Sequence, residues 1–136
     1  MPLTFTAHVA GVDEDLEIEC LSAGVAENLD GTGQSLIFQC SLYEVEDDEE
    51  IDDDYTHCLV VDNGVAVYGC VREIVMDDQR LTVVLDDAAA SLYGFDDHII
   101  DVTLDVEAHA REELRGALRR IFSYGRPDAF PRRMEL

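Results

Sequence analysis

HIIDVTLDVEAHAREELRGALRRIF, His98–Phe122, changes its period midway, and that change sets the fold class. In its first half His98, Ile100, Val102, Leu104 and Val106 point one way and Asp101, Thr103 and Asp105 the other. This two-residue repeat belongs to a half-buried strand. From about Glu107 the apolar positions become Ala110, Leu114, Ala117, Leu118, Ile121 and Phe122, one stripe of a helix. Glu107 stands near the positive end of that helix and Arg119 and Arg120 near its negative end, both favourable placements. Gly116 weakens the helix by up to about 1 kcal/mol or permits close packing. On this parity His98 reads as a core or rim histidine.

Upstream of this switch the period stays close to two. Leu3, Phe5, Ala7 and Val9 alternate with Thr4, Thr6 and His8, which predicts a first strand. Gly11 through Asp15 reads as a turn. Leu16, Ile18 and Cys20, alternating with Glu17 and Glu19, then predict a second strand, paired with the first as a hairpin. Residues 24–34 read as a loop, and Ser35–Tyr43 as a third strand, central in its sheet. Strands are also expected over Tyr55–Asp62, over Val65–Met76 with a bend or bulge at Gly69, and from Arg80 to Leu85. Asp62-Asn63-Gly64 and Asp77-Asp78-Gln79 supply turns between them. Asp86 or Asp87 caps a short helix near 88–92, with Gly94 at its end. The expected fold is α+β: a largely antiparallel sheet of six to seven strands, the short helix, and a C-terminal amphipathic helix near 107–122. Residues 1–122 form a single domain, and 123–136 a basic, Pro-containing tail.

The chain of 136 residues, 47% of them hydrophobic, suits one domain with a core of its own. Its charge is lopsided. Residues 1–110 hold 27 acids against two Arg, a net −25; residues 111–136 hold seven Arg against four acids, a net +3. A body so acidic repels nucleic acid and anionic membrane and attracts basic partners. There is no Lys, which GC-rich coding or salt adaptation also explains. The densest charge is Glu44–Asp54, nine carboxylates in eleven residues, too costly to desolvate and hence an exposed loop.

Chemical motifs are sparse. The acids sit in turns and on polar strand faces, where nothing raises a pKa for general acid work. Asp52-Asp53-Asp54-Tyr55 fails the calcium-loop pattern, which needs alternating ligands, Gly at the sixth position and Glu at the twelfth. His57 and Cys58 point to opposite faces of a strand and form no local nucleophile–base pair. His8 and His109 read as superficial. Gly31-Thr32-Gly33 lacks the Lys and the strand–helix context of a phosphate loop. Cys20, Cys40, Cys58 and Cys70 show no C-x-x-C spacing, and Cys20 and Cys40 share parity with apolar neighbours. Buried, reduced thiols, no metal and no cofactor are expected. The N-terminus lacks a basic region followed by an apolar run, and no stretch approaches a membrane span, so the cytoplasm is the expected location.

The segments FTAHVAGVDEDLEIE (5–19), LIFQCSL (36–42), YTHCLVVDNGVAVYGCV (55–71), RLTVVLDDAAASLYG (80–94) and LRGALRRIFSYGRPD (114–128) resemble bacterial immunity protein family 10, over most of the chain. The resemblance implies a cytoplasmic, cofactor-free protein that binds and neutralises a cognate toxin of a polymorphic toxin system. It carries over no functional residues. The charge agrees with a stoichiometric, electrostatically steered inhibitor of a toxin with a basic surface, rather than an enzyme. On that reading the partner-binding residues are Glu46, Asp47, Asp48, Glu49, Glu50, Asp52, Asp53 and Asp54. The alternative is an acidic interaction module, a secretion chaperone or nucleic-acid mimic, binding a basic protein. A small hydrolase using Cys58 or paired Asp is a third reading.

Overall fold

Alternation along Leu3–Val9 does not mark one strand but two, in different sheets. A computed structural model describes residues 3–30, 32–42 and 56–136. β1 (Leu3–Ala7) ends before His8, and β2 (Val9–Asp15) begins a second sheet. That sheet continues as a meander through β3 (Cys20–Ala26), β4 (Ser35–Ser41), β5 (Cys58–Val61) and β6 (Ala66–Tyr68), each antiparallel to the last. The first sheet resumes with β7 (Val71–Met76), β8 (Arg80–Leu85), β9 (Ile99–Leu104) and β10 (Arg133–Glu135). Its order is β1-β9-β8-β7-β10, with β1 parallel to β9 and β10 parallel to β7. Two helices, α1 (Asp87–Tyr93) and α2 (Ala108–Phe122), complete an α+β fold. The single sheet of six to seven strands is thus replaced by two sheets of five.

Four expectations need correcting, and each has a physical reason. Gly11–Asp15 is not a turn but most of β2, paired with β3 from Val9↔Ala26 to Asp15↔Cys20. It is an edge strand, and acids on an edge blunt pairing with other chains without having to be buried. Leu16 and Ile18 therefore leave the strand and lie in the turn between β2 and β3, both exposed. Residues 24–26 belong to β3, not to a loop. At Gly24 the missing side chain serves close approach: a Cβ there would come within 3.1 Å of the Leu36 carbonyl oxygen. Val65–Met76 is broken where the chain returns to the first sheet, at Gly69, which sits in the left-handed region at φ 67°.

The rest follows the sequence closely. The carboxylate of Asp86 accepts from the Ala89 N–H at 2.7 Å and caps α1, and Gly94 at φ 81° ends it. β4 is central in the second sheet. Leu114, Ala117, Leu118, Ile121 and Phe122 of α2 are buried and cover the inner face of that sheet, where Phe38 meets Phe122 edge-on with centroids 5.6 Å apart. Leu81, Val83 and Leu85 of β8 and Ile100, Val102 and Leu104 of β9 turn one face of the first sheet into the same core. Each such large side chain contributes about 1.5–3 kcal/mol when fully buried. Beyond α2, a 3-10 turn (Pro127–Ala129) buries Ala129 and leads into β10.

Candidate partner-binding face

Charge is sorted by layer. The first basic residue of the chain is Arg72, on β7, so residues 1–71, which include the whole second sheet, hold 17 acids and neither Lys nor Arg. The nine Arg sit on the first sheet, α2 and the C-terminal segment. All but Arg120 are engaged there. Arg72 meets Asp86 at 3.2 Å and Arg80 meets Asp101 at 3.2 Å. Arg115 lies 3.0 Å from Glu112 and 3.5 Å from Asp78, while Arg119 donates to the Leu136 carbonyl. Arg132 and Arg133 both reach Glu73, which joins the C-terminal segment to β7. Exposed pairs of this kind contribute about 0–1 kcal/mol each, so they orient more than they stabilise. Among the described residues, the only second-sheet acid that reaches an Arg is Glu14, 3.3 Å from Arg120. The cations are spent on one layer, and the negative potential falls on the other.

The eight sequence-expected binding acids, Glu46, Asp47, Asp48, Glu49, Glu50, Asp52, Asp53 and Asp54, lie outside the described residues. The residues flanking them do not. The Leu42 N–H donates to the Glu19 carbonyl at 2.7 Å, so the chain leaves β4 beside the β2–β3 turn. That turn carries Leu16, Glu17, Ile18 and Glu19, with Leu16 76% and Ile18 71% exposed. The Asp15 carboxylate accepts from the N–H groups of Glu17 and Ile18, at 3.0 and 3.3 Å. Glu19 adopts a left-handed backbone at φ 52°. The turn is therefore tied from within by Asp15 and from β4 by Leu42. Its two aliphatics escape sequence reading, because Leu-Glu-Ile-Glu alternates as a strand does.

The outward face of the second sheet runs from this turn across Gly11, Gly24, Ile37 and Val60 to Tyr68. Gly11 and Gly24 face each other and leave a shallow trough of about 300 Å³ floored by Ile37 and rimmed by Asp13 and Ser22. The family model of immunity protein 10 matches residues 6–112. The chain belongs to that family. The matched stretch takes in the whole second sheet and stops at Glu112, early in α2. No curated protein and no solved structure matches the chain.

For an immunity protein, the remaining side chains speak of structure rather than reaction. His57 is buried, and burial, with Arg72 adding to it, lowers its pKa to about 4. Its Nε2 accepts from the Val71 N–H at 3.1 Å, so the lone pair a general base would need is already used. Sequence reading leaves His57 without a structural role; nothing local shows that a sheet crossing will need it. His98 stands exposed beside Asp97 instead of on the apolar row of β9. Cys40, Cys58 and Cys70 are buried, Cys20 is half-buried, and all four are free thiols. Burial pushes the Cys40, Cys58 and Cys70 thiols up to about 11, far from the thiolate a nucleophile needs. The Tyr93 hydroxyl, 3.6 Å from the Cys70 sulfur, donates to the Leu59 carbonyl at 2.6 Å and ties α1 to the second sheet. Among the described residues no three His, Cys, Asp or Glu gather in a way that could hold a metal. Among them, too, no helix is long and apolar enough to cross a membrane.

Proposed function

We propose that this immunity protein neutralises a cognate toxin by binding it one to one, with the second sheet turned towards a basic surface of the toxin. The observation that carries this reading is the sorting of charge. The second sheet and its turns have no Lys or Arg of their own, and the Arg of the other layer, Arg120 apart, are engaged with local partners. An acidic face of this kind steers a basic partner and raises the association rate by about ten- to a thousandfold at low salt. Glu46–Glu50 and Asp52–Asp54 extend that field and belong to the binding surface on the same argument. Free thiols suit a reducing compartment, which supports action in the cytoplasm. Membership of an immunity family favours a binding role over a catalytic one.

The experiment is calorimetric titration against the toxin domain encoded beside the gene, at 0.05 and 0.15 M salt. One-to-one binding that weakens as salt rises supports the proposal. No binding, or binding indifferent to salt, sinks it. The net charge of −22 also favours an acidic interaction module. Comparable affinity for several unrelated basic proteins selects that reading instead.

A further inference from the structure

We infer that the β2–β3 turn is the anchor of the interface: Leu16 and Ile18 enter an apolar cleft on a protein partner whose rim carries Lys or Arg. The inference rests on the proposed toxin-binding reading and adds where, and by which contacts, the partner is held. Two large aliphatics in one four-residue turn, 76% and 71% exposed, form a pair and not a scattered surface residue. The turn that shows them is already ordered by Asp15 and by the bond from Leu42 to Glu19, so little freedom is lost on binding. Apolar anchors inside a polar ring are the usual arrangement of residues that dominate binding energy.

The occupant follows from charge. Asp15, Glu17 and Glu19 alternate with the two aliphatics, and among the described residues no Arg reaches any of them. A second copy of this chain would set the same acids against each other, and an anionic membrane would repel them. A basic rim around an apolar cleft satisfies both halves of the turn at once.

The test is binding kinetics with the toxin domain encoded beside the gene, using wild type, Leu16→Ser with Ile18→Ser, and Glu17→Gln with Glu19→Gln. All four side chains are exposed, and unchanged thermal melting checks that each variant folds. The serine pair should dissociate at least about tenfold faster, with association changed by less than about twofold. The glutamine pair should associate more slowly at low salt and dissociate as wild type does. Unaltered dissociation of the serine variant, with wild type still bound, overturns the anchor and leaves toxin binding standing. Failure of wild type to bind overturns both. A dimer of the free protein that the serine pair converts to monomer assigns the turn to a second copy, and likewise overturns the inference.

Discussion

The His57 ring accepts the backbone N–H of Val71 at 3.1 Å, while the carbonyl of the same residue accepts the N–H of Gly69 at 2.9 Å. Between those two N–H groups the chain passes from the second sheet to the first. A strand that changes sheets leaves donors that no ladder pairs, and buried donors must be paired. Because Nε2 accepts, the proton of the neutral ring sits on Nδ1, 3.3 Å from the Thr56 hydroxyl. The face of the ring lies against Phe122, with centroids 4.8 Å apart. One side chain thus closes the crossing and meets the helix that covers it.

Acid should therefore loosen the fold through His57. Burial lowers its pKa from 6.5 to about 4, so between those values the unfolded chain binds a proton that the folded one refuses. The stabilisation is fully present above pH 6.5 and is lost as pH falls towards 4, by up to about 3 kcal/mol. His57→Gln keeps an acceptor but does not titrate. Urea unfolding of both proteins from pH 7.5 to 4 should show wild type losing stability relative to the Gln variant. Parallel curves would remove His57 as the cause.

Backbone conformation makes a second prediction, at the same crossing. Gly69→Ala forces a left-handed residue with a Cβ and should cost about 1–2 kcal/mol. Gly11→Ala meets nothing within 4 Å and should stay within about 0.5 kcal/mol of wild type. Thermal melting of the two variants distinguishes them. Equal melting points would mean that the turn at Gly69 tolerates another geometry.

The thiols should react in order of exposure. Cys20, half-buried, should react first with a disulfide reagent such as Ellman's. Cys40, Cys58 and Cys70, buried and pushed up to about 11, should react only as the protein unfolds. Four thiols released in denaturant and at most one in native buffer is the expected count. Rapid native reaction of Cys58 would revive it as a candidate nucleophile.

Replacing Glu46–Glu50 and Asp52–Asp54 with Gln and Asn should slow toxin association, chiefly at low salt, with dissociation and stability nearly unchanged. Stopped-flow measurements at low and 0.15 M salt read this directly. Identical association rates at both salts would leave the second sheet and its turn as the binding surface without those acids.

Much of this fold is legible where the signal is local. Asp86 and Gly94 bracket α1, the apolar stripe from Leu114 to Phe122 defines α2, and the alternation of β4 and β8 gives two strands their faces. Sheet membership is not local. Alternation runs through His8 and through Gly69 with little to mark a change of layer, so two sheets read as one. β2 is hidden because an edge strand tolerates Gly11, Asp13, Glu14 and Asp15. The acidity of the second sheet is plain in the composition, whereas the display of Leu16 and Ile18 depends on a turn that Asp15 closes. The duty of His57 depends on Val71, fourteen residues on and in the other sheet.

The order of strands along the chain also shapes how the protein comes into being. β2 to β6 pair with their sequence neighbours, so the acidic sheet can zip up while the chain is still being made. The first sheet cannot close then, because β1 waits for β9 and β7 waits for β10. Nor can the acidic sheet shield its inward side, which is covered only when α2 arrives. A nascent chain cut short before Ala108 should expose Phe38 and its neighbours and be prone to aggregate or be captured by a chaperone. A folded acidic sheet would then have to wait for α2 and β10, long after its own strands are made.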